Sequence, residues 1–171
     1  MKKIAFLITF ICLLLVIMLS CEKDDICSAD TLTTPKLILR FYDKASPDEI
    51  LAVPDLRAYA LDDDGSMVEF LGITTNTKDS LAIPLQTEMN ETRIVLQRNF
   101  DSENPDDGNA DTIDIRYERE DIYVSRACGY KAIFNNLIFS VTNDTDNWIV
   151  NSEVLIDTVD NQIQAHVKIL H

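Results

Sequence analysis

The sequence predicts an all-β fold, an antiparallel β-sandwich of seven to nine short strands with Greek-key-like connections, after an N-terminal signal and tether. Three observations favour this fold. Apolar side chains recur at every second position after residue 36, turn-forming residues separate these runs, and helical spacing is hard to find beyond the first twenty residues. Half-buried antiparallel strands alternate in this way because adjacent side chains point to opposite faces of a sheet.

The alternating runs give the strands in chain order. Leu37, Leu39 and Phe41 form one face of the first run. In the last run Val167 and Ile169 belong to the apolar face, and His166 belongs to the polar face. Several such short runs within about 130 residues favour a sandwich over a closed barrel. The runs span residues 37–42, 56–61, 67–71, 81–85, 93–97, 112–117 and 162–169.

Turn residues divide these runs. Asp62–Gly65 predicts a hairpin turn in which the glycine supplies a positive φ. Met89–Glu91 separates two further strands, and the acidic stretch Asp101–Asp111 predicts a mobile surface loop. One short helical turn is expected at Pro47–Ala52, with Ser46 as its cap.

The first twenty residues are typical of a secretory signal. Two lysines precede an apolar stretch at residues 4–19, and the small Ser20 follows it. The lysines remain on the cytoplasmic side while the apolar stretch enters the bilayer. Because this stretch approaches the length of a spanning helix, a retained anchor helix is the alternative.

The sequence Met18-Leu19-Ser20-Cys21 resembles the lipobox of bacterial lipoproteins, although leucine is commoner where Met18 stands. The resemblance implies acylation of the Cys21 thiol and cleavage just before it, so that several acyl chains anchor the protein firmly. The alternative is an ordinary free or disulfide-bonded Cys21. The expected organisation is a lipoprotein signal peptide at 1–20, a lipidated polar tether at 21–35 and the β-sandwich domain at 36–171.

The residues after Cys21 carry a second resemblance. Lys23, Asp24 and Asp25 look like the surface-export signal of Bacteroidota lipoproteins, a lysine followed by acidic residues. This implies a cell-envelope protein in the outer membrane, exposed at the cell surface. A solvated tether without a targeting role is the alternative.

Charge restricts the partners. Removing residues 1–20 takes two of the fifteen basic residues and none of the 29 acidic ones, so the mature chain has a net charge of −16. This charge repels nucleic acid phosphates and anionic lipid headgroups. We therefore expect no nucleic acid partner, and attachment to the membrane only through the N-terminal lipid.

Four cysteines occur in the chain. Cys12 leaves with the signal and Cys21 takes the lipid, so that Cys27 and Cys128 remain. An even pair in an oxidising compartment suggests a disulfide. Two separate free thiols are the alternative, and metal binding is less favoured because neither cysteine belongs to a C-x-x-C pair.

Catalytic chemistry has few candidate residues. His166 and His171, the two histidines, are both expected to be solvated, because neither has a ligand partner at i+2 or i+4. The EF-hand spacing fails at Asp62–Gly65, which leaves weak calcium binding by an acidic loop as an open alternative. The G-x-S-x-G pattern is absent. We predict no catalytic residue, no metal site and no cofactor, and a hydrolase is the less favoured alternative.

Four Asp-Ser/Thr-apolar triplets resemble the O-glycosylation sites of Bacteroidota. A chain this rich in aspartate also matches by accident, and the same residues naturally open turns and strands. The acceptor hydroxyls would be those of Thr31, Ser80, Thr112 and Thr158.

One longer resemblance covers most of the mature chain. The segment Asp121–Phe134, which contains Y-V-S-R-A-C-G-Y, together with Cys27 and the run Ser80–Leu85, resembles an uncharacterised Bacteroidota lipoprotein family, a domain of unknown function. The resemblance implies an anchored β-rich domain and the pairing of Cys27 with Cys128. It brings no activity and no catalytic residues.

These inferences indicate a non-enzymatic cell-envelope lipoprotein, a binding or structural module that is a monomer and takes a protein or carbohydrate ligand. The alternative is a surface assembly or adhesion subunit that works by strand addition. An open groove between edge strands would favour that alternative.

Overall fold

A computed structural model describes residues 26–28, 31, 33–73 and 75–171. These residues form ten strands and no helix, which confirms the all-β prediction. The strands are β1 (Leu37–Tyr42), β2 (Val53–Leu61), β3 (Met67–Glu69), β4 (Asn76–Lys78), β5 (Ser80–Ile83), β6 (Glu91–Arg98), β7 (Asn109–Ser125), β8 (Gly129–Val141), β9 (Asn151–Val154) and β10 (Val167–Leu170).

The strands form two sheets. The four-stranded sheet has the order β5-β1-β10-β9, and the six-stranded sheet has the order β3-β2-β6-β7-β8, with β4 also pairing with β2. The chain passes from one sheet to the other four times, as expected of Greek-key-like connections. The structure has ten strands rather than seven to nine, and β7, with 17 residues, is not short.

The chain divides into two compact units. Residues 33–122 and 131–171 belong to the unit that contains the sandwich core. Residues 26–28, Thr31 and Tyr123–Tyr130 belong to a second, small unit. The small unit contains the tip between β7 and β8.

One pairing departs from the antiparallel prediction. Strands β1 and β10 are parallel, with Leu39 opposite Val167 and Phe41 opposite Ile169. Parallel neighbours require a long crossover connection, and here nearly the whole sandwich is that connection. Local sequence patterns predict strands but carry no information on the direction of strands that pair across the whole chain.

The core consists of the alternating apolar side chains. Leu37, Leu39 and Phe41 of β1 are fully buried, and Ile94 and Ile113 face them from the six-stranded sheet. Each side chain of this size contributes about 1.5 to 3 kcal/mol when it is removed from water. This burial holds the two sheets together.

The predicted turns are confirmed in part. The stretch Asp101–Asp111 was expected to be a mobile surface loop, but β7 begins at Asn109 and Asp111 is fully buried, so the prediction is wrong for its last three residues. Gly65 has a φ of +82°, and its N–H donates to the Asp62 carbonyl at 2.9 Å, which closes the β2–β3 hairpin. The short turn expected at Pro47–Ala52 is limited to one hydrogen bond, from the Glu49 N–H to the Ser46 carbonyl at 2.8 Å. No helix continues from it, because Ile50 bridges to Tyr42.

Asp111 holds the crossing from β8 to β9. Its side chain is fully buried, and its two oxygens accept the backbone N–H groups of Ile149 at 2.8 Å and Trp148 at 3.3 Å. The Trp148 indole N–H donates to the Leu96 carbonyl at 3.1 Å. Burial raises the pKa of Asp111, and these N–H donors oppose that rise.

Asp111→Ala should lower the free energy of unfolding by about 2 to 5 kcal/mol, because two buried N–H groups lose their acceptor. Asp111→Asn, which keeps one acceptor oxygen, should lose less. The control Asp106→Ala, in an exposed loop, should change stability by less than about 0.5 kcal/mol. Denaturant titration measures all three. Equal stability of Asp111→Ala and the wild type would contradict this role.

Candidate functional site

An open groove runs between the edges of the two sheets. Two concavities, of about 160 and 170 Å³, share Ala60, Gln86 and Thr92 and therefore adjoin. We call them together the edge groove. β3 is an edge strand of one sheet, and the chain just after β5, an edge strand of the other, forms the opposite wall. The remaining lining residues include Val68, Phe70, Pro84, Leu85 and Met89.

Val68 shows why the groove is open. It lies opposite Ala60 on β2, which in turn lies opposite Ile94 on β6, so all three side chains share the core-facing side of the sheet. Ile94 is fully buried, but Val68 is 47% exposed. The sandwich therefore leaves part of its inner face uncovered at β3.

The floor of the groove is held by a closed hydrogen-bond network. The Gln86 N–H donates to the Thr92 hydroxyl at 2.8 Å, that hydroxyl lies 2.7 Å from the Tyr117 oxygen, and the Tyr117 hydroxyl donates to the Gln86 carbonyl at 2.9 Å. Burial raises the pKa of Tyr117. Because the network satisfies both hydroxyls, it fixes the groove in shape before any ligand arrives.

Acidic residues lie at one end of the groove. Asp62, Asp63 and Glu91 contribute to the lining there, and Arg93 does so too. Arg93 is paired with Asp114, with its Nε 2.7 Å from the carboxylate. Glu91 is likewise paired with Arg116, at 3.7 Å. Asp62 and Asp63 therefore remain to favour a basic group in a ligand at this end.

His166 is not the solvated residue that the sequence predicted. It is 1% exposed, and its ring Nδ1 accepts the Ile38 backbone N–H at 3.0 Å. The backbone N–H of His166 donates to the Ile38 carbonyl at 2.9 Å. The ring nitrogen thus takes the position of a carbonyl in the ladder, and regular strand begins only at Val167. The alternation through residues 162–166 is not a strand, and Ile163 is 89% exposed.

His171 was also expected to be solvated, and it is of intermediate exposure with one side of its ring packed. Its ring packs edge-on against Phe41 and Trp148, with centroid distances of 6.2 and 5.7 Å. Its Nε2 lies 3.1 Å from the Leu51 carbonyl oxygen. Both histidines therefore have structural contacts that their positions in the sequence did not reveal.

The aspartate side chains in the acidic turns accept hydrogen bonds from backbone N–H groups of the same turns. Asp62 accepts the Asp63 N–H at 2.8 Å, Asp64 accepts the Ser66 N–H at 2.9 Å, and Asp101 accepts the Glu103 N–H at 2.9 Å. Within the described ranges, no group of three or more His, Cys, Asp or Glu side chains is arranged to hold a metal ion.

The structure does not bring the other predicted sites together. Cys21, Lys23, Asp24 and Asp25 lie outside the described residues. The four candidate glycosylation hydroxyls, on Thr31, Ser80, Thr112 and Thr158, belong to side chains of intermediate exposure, and their modification stays a prediction. In the part of the chain that the structure describes, no helix is long and apolar enough to cross a membrane.

Cys27 and Cys128 form a disulfide in the small unit. Their Cα atoms are 4.8 Å apart, and 101 positions separate them in the chain. Closing a loop of this length stabilises a fold by about 5 kcal/mol in the chain-entropy model. The Ser125 hydroxyl accepts the Cys128 N–H at 3.1 Å and shapes the turn at the bridge.

The burial of His166 predicts a pH dependence. Desolvation lowers its pKa, although Asp160 and the Asn161 backbone oppose the shift. The unfolded state therefore binds a proton more readily than the folded state, and stability should fall as pH drops below about 6.5, the unfolded value.

His166→Asn tests this dependence, since its side-chain oxygen can still accept the Ile38 N–H but does not titrate. The stability advantage of the wild type over this variant should shrink between about pH 7.5 and about pH 5. Thermal denaturation across this range measures it. A constant difference between the two proteins would contradict the assignment.

Comparison with known proteins gives one match. Residues 56–171 match the model of a family of unknown function, DUF6452. No curated protein and no solved structure matches the chain significantly. The match covers β3 to β10, all but the first few residues of β2, and the edge groove. The chain therefore belongs to this family of unknown function.

Proposed function

We propose that the protein is a lipid-anchored lipoprotein of the bacterial cell envelope, and that its sandwich binds a partner without catalysing a reaction. The observation that carries the proposal is the edge groove, a preformed opening onto the core-facing side of β3. An apolar wall with a few fixed polar groups is what a binding site requires.

The candidate catalytic groups support a non-enzymatic role. His166 uses its Nδ1 to accept a backbone N–H, and the Asp111 carboxylate accepts two. A general base needs a free lone pair within reach of a substrate proton. These side chains instead complete hydrogen bonds that the fold needs.

The anchor rests on the N-terminal sequence. The signal at 1–20 and Cys21 fit a lipoprotein, and Lys23, Asp24 and Asp25 fit export to the surface of a Bacteroidota outer membrane. The Cys27–Cys128 disulfide supports an oxidising compartment, where such bridges persist.

Strand addition is the second candidate, and the position of the edge groove favours it. An edge strand presents unpaired N–H and C=O groups, and the exposed Val68 leaves room for apolar side chains of an added strand. The partner would be an extended segment with apolar residues at every second position. A basic residue in it would lie at the end lined by Asp62, Asp63 and Glu91.

Labelling with radioactive palmitate tests the anchor. The wild type should incorporate label because its Cys21 thiol is acylated, and Cys21→Ala should lose it. Cys12→Ala is the matched control and should label normally, since Cys12 leaves with the signal. An unlabelled wild type would refute the lipoprotein proposal.

Synthetic ten-residue peptides with alternating apolar and basic residues test the edge groove. Binding should shift the amide NMR signals of Val68, Gln86 and Thr92, and N-methylation of alternate peptide amides should abolish it because the ladder bonds are lost. Val68→Lys should weaken binding about tenfold or more by charging an apolar wall. Leu71→Lys, at a residue that is 97% exposed and outside the groove, is the control.

Two results would count against strand addition. Binding that tolerates N-methylation at every position would indicate recognition by side chains alone. Oligosaccharides that shift the same signals, where peptides do not, would assign the groove to a carbohydrate ligand.

A further inference from the structure

The small unit, which contains the disulfide, exposes one apolar and three amphipathic side chains that we call the tip patch: Ile26, Tyr123, Arg126 and Tyr130. Ile26 is 83% exposed, Tyr123 58% and Tyr130 68%. The two tyrosine rings meet edge to face at 5.4 Å, and thus form one aromatic surface. Soluble proteins scatter single apolar residues over their surfaces, but adjoining exposed aromatic rings indicate a contact surface.

Covalent geometry limits how far the tip patch lies from Cys21. Six residue steps separate Cys21 from Cys27, and a fully extended chain covers about 21 Å over that length. The disulfide then places the Cys128 Cα 4.8 Å from that of Cys27. The patch is therefore tied to the position of Cys21 by a tether that is short compared with a bilayer, about 40 Å thick.

The composition of the tip suits a lipid interface. Tyrosine gathers at membrane interfaces because its ring is apolar and its hydroxyl remains hydrated. Residues 123–130 contain Arg126 and no acidic residue, in a mature chain with a net charge of −16. Arg126 can contact a headgroup phosphate although acidic residues flank the segment, at Glu120 and Asp121 before it and at Asp24 and Asp25 in the tether. The contact therefore depends mainly on the two tyrosine rings.

We infer that the tip patch lies in the headgroup region of the membrane that holds the Cys21 lipid, where Tyr123 and Tyr130 contact acyl-chain ends and Arg126 contacts phosphate. The inference rests on the proposed lipid anchor. Anchoring supplies a high effective concentration of membrane at the patch, so a contact too weak to bind alone is sufficient. The tip patch, which the disulfide links to the tether, then gives the anchored protein a second point of contact with the membrane.

Depth-dependent fluorescence quenching tests the inference. The full chain is isolated from bacterial membranes with its palmitate label measured, and reconstituted into phosphatidylethanolamine–phosphatidylglycerol vesicles that contain brominated acyl chains. Tyr130→Trp and Tyr123→Trp place reporters in the tip patch. Leu71→Trp places the control reporter at a position that is 97% exposed. All three variants also contain the buried Trp148, and its fluorescence is removed by subtracting the emission spectrum of the wild type.

The tip reporters should be quenched about threefold more than the Leu71→Trp reporter, and their emission should shift to the blue. Equal quenching of all reporters in palmitate-labelled protein would overturn this inference and leave the anchor proposal intact. Absence of palmitate would overturn both. Tip reporters that are shielded from aqueous iodide but not quenched by bromine would indicate that a second copy of the chain covers the tip patch, and would also overturn the inference.

Discussion

The parallel pairing of β1 with β10 is the constraint on which the sandwich depends. These strands form the middle of the four-stranded sheet, and the eight other strands of the described residues lie between them in sequence. Hydrogen bonds extend the pairing at both ends, from His166 to Ile38 and from the His171 N–H to the Tyr42 carbonyl at 3.1 Å. The sheet is therefore complete only when the last residues of the chain are in place, and its closure carries the entropy cost of a very long loop.

Buried polar groups fix the parts of this fold that apolar burial leaves undetermined. Asp111 positions the crossing into β9, and His166 extends the ladder one residue before the regular strand β10 begins. The network around Thr92 holds the chain after β5 against β6. These groups act inside the scaffold, whereas the proposed contacts use two exposed surfaces of the described residues, the uncovered face at β3 and the tip at the disulfide.

The sequence predicted the strands and turns that depend on residues close to one another in the chain. Alternation predicted β1 and the core strands, and Asp62–Gly65 predicted its hairpin, because both signals depend on neighbouring residues. His166 was misplaced because periodicity assigns a face to a side chain but cannot show whether another segment covers that face. The edge groove was missed for a similar reason, since Gln86 and Thr92 reach the local pair Ala60–Val68 only through tertiary packing. Counting cysteines left Cys27 and Cys128 as one even pair, with free thiols as the alternative, and the resemblance implied that they are bonded, as they are in the structure.

The most direct test of this account is the N–H···N hydrogen bond between Ile38 and His166. NMR on ¹⁵N-labelled protein detects the scalar coupling between the Ile38 amide nitrogen and the His166 Nδ1 across the bond. The account predicts this coupling at neutral pH, with the imidazole proton on Nε2. A proton on Nδ1, together with rapid solvent exchange of the Ile38 amide, would contradict the claim that the imidazole completes the closing pair of strands.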